Sequence, residues 1–227
     1  MNLSPAALDF LFENKINDSK LWYQEHKQLH KQLVVEPFRE FVSNMQPYID
    51  KIDPNLTCNP MRISRIYRDT RFSKDKTTFR DNVWYGFMHG KELYEGLPCY
   101  YFEFSPRGFV YGVGYYKAGT QTMQAIRELV LKHDKSYLEV KKLMKKHKEY
   151  IFYSNPYKKN HFPDAPEDDL LFLNSRDFAV SEESTDFDLL FSDSKILADA
   201  IGKKFIEMKP IYDFLMKAES TVPRENK

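Results

Sequence analysis

The sequence predicts an α+β fold with a central, mostly antiparallel sheet flanked by N-terminal and C-terminal helices. Helical patterns open and close the chain, whereas segments rich in aromatic and β-branched residues cluster in its middle. Segregation of this kind favours α+β architecture over alternating βα units. The 227 residues contain no internal repeat or evident domain boundary, so we expect a single domain spanning 1–227.

The N-terminal region is predicted to be helical. Ser4 followed by Pro5 is a typical helix start, and apolar residues at positions 7, 8, 11 and 12 give that helix one apolar face. Asp18 is the predicted N-cap of a second helix, and Pro37 predicts a kink or a fresh helix start. A polar stretch with prolines over 53–60 ends this region.

The middle of the chain is predicted to form the sheet. We expect a strand over 62–67, an irregular loop over 68–82 and a second strand near 83–88. Residues 97–116 predict a hairpin, because the sequence Ser-Pro-Arg-Gly at 105–108 is typical of a turn. Gly112 and Gly114 share one face of its second arm, which predicts close approach by a ligand or another backbone.

The C-terminal region returns to helical patterns. Thr120 is the predicted N-cap of one helix, another helix is predicted around 137–147, and short strands are predicted near 151–153 and 177–180. The segment 195–217 carries apolar residues at steps of three or four, which predicts a core-facing helix bent at Pro210.

Residues 62–76, RISRIYRDTRFSKDK, concentrate positive charge. Six cations and two acids give this stretch a net charge of +4, within a chain whose formal net charge is +1. Clustered guanidinium groups repel one another unless carboxylates, backbone carbonyls or an anionic ligand take up their donors. The pattern therefore indicates either a braced structure or a binding site.

Two interpretations of this charged stretch are open. In the first, Asp69 and Asp75 brace the arginines and the stretch is an ion-pair clasp. In the second, the cations bind phosphate or carboxylate, and Tyr116 and Arg127 join them if the hairpin packs beside the loop. The candidate anion site then comprises Arg62, Arg65, Arg68, Arg71, Ser73, Lys74, Lys76, Tyr116 and Arg127, with Asp69, Asp75 and Asn82 in supporting positions.

Residues 65–82, RIYRDTRFSKDKTTFRDN, carry a resemblance to a known family. They are similar to the signature RIYRDTRFSKDKTPYKTN of the family called domain of unknown function 2461, with Arg65 to Lys76 identical. Departures follow at Thr78, Phe79, Arg80 and Asp81, while Asn82 is kept, and weaker similarity extends over roughly 5–217. The resemblance implies one compact domain and brings no known activity.

The leading functional hypothesis is a cytoplasmic protein that binds a small anionic ligand, for example a phosphorylated one, through the arginine-rich loop. One alternative is an enzyme acting on a phosphorylated or carboxylated substrate in the same pocket, with Asp69, Asp75 and Tyr116 as candidate base or nucleophile. The other is a protein-interaction module in which the ion-pair clasp is structural. The sequence contains no glycine-rich phosphate loop and no nucleophile elbow.

Several partner classes are not expected. Near-neutral net charge argues against a nucleic-acid coat, and the two cysteines, Cys58 and Cys99, cannot form a disulfide framework or a four-ligand zinc site. His26 and His30 have a zinc-compatible spacing but no third ligand is evident, so we predict no metal and no cofactor. An N-terminus without a signal pattern and no long apolar run predict a cytoplasmic protein without a membrane partner.

Overall fold

The computed structural model describes residues 1–71, 73–90 and 96–223. The N-terminal helices are α1 (Pro5–Asn17), α2 (Lys20–His30), α3 (Glu36–Asn44) and α4 (Gln46–Ile52), with a π-helical turn over Lys31–Val35 and a 3-10 turn over Pro60–Arg62. The strands are β1 (Val83–Phe87), β2 (Cys99–Ser105), β3 (Gly108–Gly114), β4 (Ile151–Pro156) and β5 (Ser175–Ser184). The other helices are α5 (Thr120–Leu131), α6 (Lys135–Lys146), α7 (Glu167–Leu173), α8 (Phe187–Leu190), α9 (Ser194–Glu207) and α10 (Lys209–Ser220).

The five strands form an antiparallel sheet in the order β1-β2-β3-β5-β4. At one edge β4 pairs with β5, with Ile151 opposite Ser181 and a register shift between Ser154 and Pro156. Helices precede and follow the strands along the chain. The predicted α+β fold with a mostly antiparallel sheet is confirmed.

The contacts of the chain fall into two compact units. The first comprises Met1–Gly86, Tyr101–Tyr111 and Glu183–Lys204, and the second comprises Phe87–Tyr100, Gly112–Glu182 and Phe205–Lys227. Each unit has its own buried aromatic core, described below. The expectation of a single domain stays a prediction.

The core of the first unit is aromatic. Phe38 and Phe41 on α3 are fully buried, and the Phe41 ring centroid lies 4.6 Å from that of Phe102 on β2. On α9, Gly202 packs against Tyr48 so closely that a Cβ at position 202 would lie 2.2 Å from the ring. The Tyr48 hydroxyl also donates to Asp199 at 2.8 Å. Close packing and this hydrogen bond thus join α9 to α4.

In the second unit β5, the neighbour of β3 in the sheet, closely approaches Gly112 and Gly114. A Cβ at Gly114 would lie 2.4 Å from the Ala179 Cα, and one at Gly112 would lie 2.4 Å from the Val180 carbonyl oxygen. Of the two neighbours that the sequence allowed, a ligand or a backbone, the structure has a backbone. The buried rings of this unit include Tyr100, Tyr137, Phe172, Phe178 and Phe205.

The predicted strand over 62–67 is wrong. The segment instead begins with the 3-10 turn, in which the Asn59 side chain accepts a hydrogen bond from the Met61 amide at 3.0 Å. Ser64 then bonds twice to Trp84, once through its amide and once through its hydroxyl oxygen, both at 2.9 Å. Tyr67 makes an isolated antiparallel bridge with Phe79. Side-chain capping and these separate tertiary bonds replace a regular strand.

Other helix boundaries also differ from those predicted. Ser19, not Asp18, caps α2, because its side chain accepts from the Trp22 amide. Near Pro37 the helix passes through the π-helical turn, and Pro37 occupies the first turn of α3. The predicted bend at Pro210 is a break at Met208, with Pro210 in the first turn of α10. Proline tolerates such early positions because the amides there lack helical partners.

Candidate functional site

The ends of the charged signature loop are held together by a short antiparallel pair. The Arg68 amide donates to the Thr78 carbonyl at 2.9 Å, and the Arg80 amide donates to the Ile66 carbonyl at 3.0 Å. Asp18, in a left-handed conformation after α1, accepts from the amides of Thr78 and Phe79 at 2.7 and 3.2 Å. The two ends of the loop are therefore paired with each other and hydrogen-bonded to Asp18 at the end of α1.

Arg68 is engaged inside the loop. Its guanidinium donates to the Asp75 carboxylate and to the hydroxyls of Thr77 and Ser73. The Thr77 amide also donates to Asp75 at 2.9 Å. The Arg68 hydrogen bond holds the pKa of Asp75 well below its ordinary value. Arg68 is thus a bracing residue, and Asp75 is a poor proton acceptor at neutral pH.

Arg71 and Lys76 are also engaged with the loop. Arg71 donates to both carboxylate oxygens of Asp69, with the shortest contact at 2.6 Å, and lowers the pKa of Asp69 to about 2. Lys76 donates to the Thr70 carbonyl at 2.8 Å. Carboxylates with so low a pKa are weak proton acceptors, which disfavours the candidate role of both aspartates as general bases.

Arg65 and Lys74 differ from these cations. Both are exposed, and neither makes a hydrogen bond or an ion pair with any residue in the part of the chain that the structure describes. Of the remaining candidates, Arg62 ends the 3-10 turn and Asn82 directly precedes β1. The structure therefore divides the predicted cations into bracing residues and available ones.

Arg65 lines a groove of about 860 Å³ that the sequence did not reveal. Its walls come from α2, the π-helical turn, the start of α3 and residues 61–67. Among the residues that the structure describes, the charged ones that line it are Glu25, Lys27, Lys31, Arg39 and Arg65. Four cations thus face one acid. We call this cavity the α2–α3 groove.

Arg39 is the least satisfied cation of the α2–α3 groove. Its Nε is buried without a hydrogen-bond partner, and its guanidinium forms no ion pair with the residues described. By contrast, Lys31 lies 3.5 Å from the Glu36 carboxylate. A buried donor without an acceptor costs free energy, and no residue in the described part of the chain offsets this cost at the Arg39 Nε. Sequence reasoning missed Arg39 because nothing in the local pattern links it to Arg65.

A cluster of rings adjoins these cations. The Tyr23 hydroxyl and the His30 Nδ1 share a hydrogen bond of 3.2 Å, and the Tyr23 ring meets Tyr67 edge-on at 5.5 Å. Burial lowers the pKa of His30 to about 4, so its imidazole is neutral at physiological pH. All three residues line the α2–α3 groove.

A family model described as "Conserved hypothetical protein (DUF2461)" matches residues 6–214. The chain belongs to this family. The DUF2461 match covers both compact units and includes the signature loop and the α2–α3 groove. No curated protein matches the sequence significantly.

The other two candidates of this DUF2461 chain lie in the second unit. Arg127 donates from Nε to the Leu173 carbonyl at 2.8 Å and from a terminal nitrogen to the Ser175 carbonyl at 2.7 Å. It therefore caps the C-terminal end of α7, a structural role that the sequence did not predict. Tyr116 is exposed just after β3. That either residue shares a site with the signature loop stays a prediction.

The two histidines considered for zinc make separate contacts. His26 donates from Nδ1 to the Trp22 carbonyl at 2.7 Å and stacks on the Trp22 ring, whereas His30 faces Tyr23. Within residues 1–71, 73–90 and 96–223, no three His, Cys, Asp or Glu side chains are grouped to hold a metal. Across the same residues, no helix has the length and apolar character needed to span a bilayer.

Proposed function

We propose that this protein binds a small anionic ligand, phosphorylated or carboxylated, in the α2–α3 groove. The observation that carries the proposal is the joint presence of Arg39 and Arg65 in one cavity, each without a carboxylate partner among the described residues. Arg65 is the contribution of the charged signature. Arg68 and Arg71 are not assigned to the anion, because they donate to Asp75 and Asp69.

The physical basis is charge-assisted hydrogen bonding. A guanidinium presents a planar fork of donors that matches phosphate and carboxylate, and such bonds contribute about 1.5–3 kcal/mol each. A partly enclosed groove is also screened less by salt than an open surface is. Binding by two arginines inside the groove should therefore survive physiological salt, unlike binding by Lys74, which does not line the groove.

The test is calorimetric titration with inorganic pyrophosphate and with citrate at about 0.15 M salt. Arg39→Gln and Arg65→Gln should each weaken the affinity for the preferred anion by roughly tenfold to a hundredfold, as expected for lost charged hydrogen bonds. Arg71→Gln is the matched control, since Arg71 lies in the same signature but is paired with Asp69. It should leave the affinity unchanged.

Two results would contradict the proposal. One is an equal loss of affinity in Arg71→Gln, which would mean that only the total charge of the loop matters. The other is unchanged anion binding in both Arg39→Gln and Arg65→Gln, which would place the anion elsewhere.

A further inference from the structure

The α2–α3 groove is larger and more apolar than a bare anion requires. Its volume of about 860 Å³ lies within the range of about 300–1,000 Å³ that is usual for organic ligands. Apolar and aromatic side chains make up a large part of its lining, namely Tyr23, Val35, Met61, Ile63, Ile66 and Tyr67. A ligand that used only the arginines would leave this apolar surface in contact with water.

Tyr67 presents a partly exposed and firmly held ring to the groove. Its side chain is 37% exposed, its backbone bridges Phe79, and its carbonyl accepts from the Arg80 guanidinium at 3.2 Å. Tyr23 meets the ring edge-on, and the Phe79 ring lies 4.9 Å away. Such a fixed ring can stack on a flat ligand with little loss of conformational entropy.

Arg65 and Tyr67 are two positions apart, both exposed, and both line the groove. Ile66 between them also lines it but is only 4% exposed. The same short segment therefore contributes a cation and an aromatic ring to one groove. Met61, whose side chain is 67% exposed, adds apolar surface to the same groove.

We infer that the ligand of the α2–α3 groove is a mononucleotide-like organic phosphate. Arg39 and Arg65 bind its phosphate, and its planar ring packs against Tyr67. This inference rests on the proposed function, since it takes the same two arginines as the anion site. It adds that the protein selects an anion that carries a planar ring. Base–aromatic stacking and arginine–phosphate contacts then both contribute to the affinity.

The experiment compares AMP, ribose 5-phosphate and inorganic pyrophosphate by calorimetry at about 0.15 M salt. AMP should bind roughly tenfold or more tightly than ribose 5-phosphate, the gain expected from one stacked base. Tyr67→Leu should remove most of this preference. Arg65→Gln should weaken the binding of both organic phosphates, because both present the same phosphate group.

Two further variants distinguish a loss of ring stacking from a general effect on folding. Tyr67→Phe keeps the ring and its packing, so it should retain the preference for AMP. Tyr153→Leu is the matched control for loss of an aromatic side chain, because Tyr153 on β4 is 43% exposed and does not line the groove. It should also retain the preference, and a thermal melt of each variant checks its fold.

The outcomes separate the two proposals. Absence of binding by all three phosphates and by citrate would overturn the proposed function. Equal affinity for all three phosphates, or a preference for AMP that survives in Tyr67→Leu, would overturn only the inference of a ring-bearing ligand. Tighter binding of a short single-stranded oligonucleotide than of AMP at this salt would overturn it too, in favour of strand binding.

Discussion

At the scale of single residues, the aspartates decide which cations of the signature are available. Asp69 engages Arg71 two positions away, and Asp75 engages Arg68 seven positions away. Sequence alone reveals the excess of cations but not this pairing, since it depends on how the loop backbone turns. Arg65 could therefore be predicted as a candidate, whereas its distinction from Arg68 could not.

Asp81, where the family signature has Thr, gives a prediction at this scale. It is buried, and its carboxylate accepts from Lys15 at 2.9 Å and from Arg107 at 2.8 Å. Asp81→Asn should lower the free energy of unfolding by roughly 1–3 kcal/mol at neutral pH, because it weakens charged hydrogen bonds. Urea midpoints measure the change, and Asp9→Asn, an exposed substitution on α1, is the control.

The difference in stability between the wild type and Asp81→Asn should depend on pH. Burial opposes the charged form, but Arg107 and Lys15 outweigh it and hold the pKa of Asp81 below its ordinary value of 3.8. The stabilisation is therefore complete above the unfolded pKa and is lost as the pH falls through the lower folded pKa. The midpoints of the wild type and Asp81→Asn should converge in acid. A difference that grows on acidification would contradict this assignment.

At the scale of elements, alternation along a strand was sufficient to predict that Gly112 and Gly114 share one face of β3. It did not predict that the backbone of β5 approaches them. The hairpin turn was also predictable, since β2 ends at Ser105 and β3 begins at Gly108 with a positive φ of 130°. The irregular structure of 62–67 was not predictable, because tertiary bonds from Ser64 and Tyr67 override the β-type composition of this segment. Arg39 escaped for a similar reason, since only the packing of α3 brings it to the groove.

Gly114 provides the prediction for an element. Gly114→Ala should lower the free energy of unfolding by about 1–3 kcal/mol or more, because the new Cβ would overlap the Ala179 backbone of β5. At Gly119, the N-cap of α5, the nearest atom to a new Cβ is 3.6 Å away, so Gly119→Ala should cost less than about 1 kcal/mol. Urea unfolding of both variants makes the comparison. Equal losses of unfolding free energy in the two variants would show that β5 shifts to accommodate the extra methyl group at position 114.

At the scale of the whole molecule, neither compact unit is a continuous stretch of chain. The chain changes unit at 86/87, 100/101, 111/112, 182/183 and 204/205. These points fall inside β1, β2, β3, β5 and α9, respectively. Domain boundaries normally fall in exposed linkers that few contacts cross. Composition alone could not reveal this division, because no linker marks it in the sequence.

The unit boundaries lead to a prediction about cooperativity. Unfolding one unit alone would divide four strands and one helix, so we expect a single transition. Near-ultraviolet circular dichroism, far-ultraviolet circular dichroism and calorimetry should give coincident thermal midpoints. Two resolved calorimetric peaks, or a protease-resistant fragment that matches one unit, would show that the units unfold separately.

The π-helical turn at Lys31–Val35 sets a rotational phase. Each residue of an α-helix advances the side-chain direction by about 100°, so one residue more or fewer between α2 and α3 turns the two helices relative to each other by that angle. The wide turn, closed by the Glu36 amide on the Lys31 carbonyl, is therefore what aligns Arg39 with the face of α2 that carries Tyr23 and His30. The length of this turn therefore fixes the angle between the two helical walls of the groove. A deletion of one residue there would keep Tyr23, His30 and Arg39 but turn Arg39 away from the other two by about 100°.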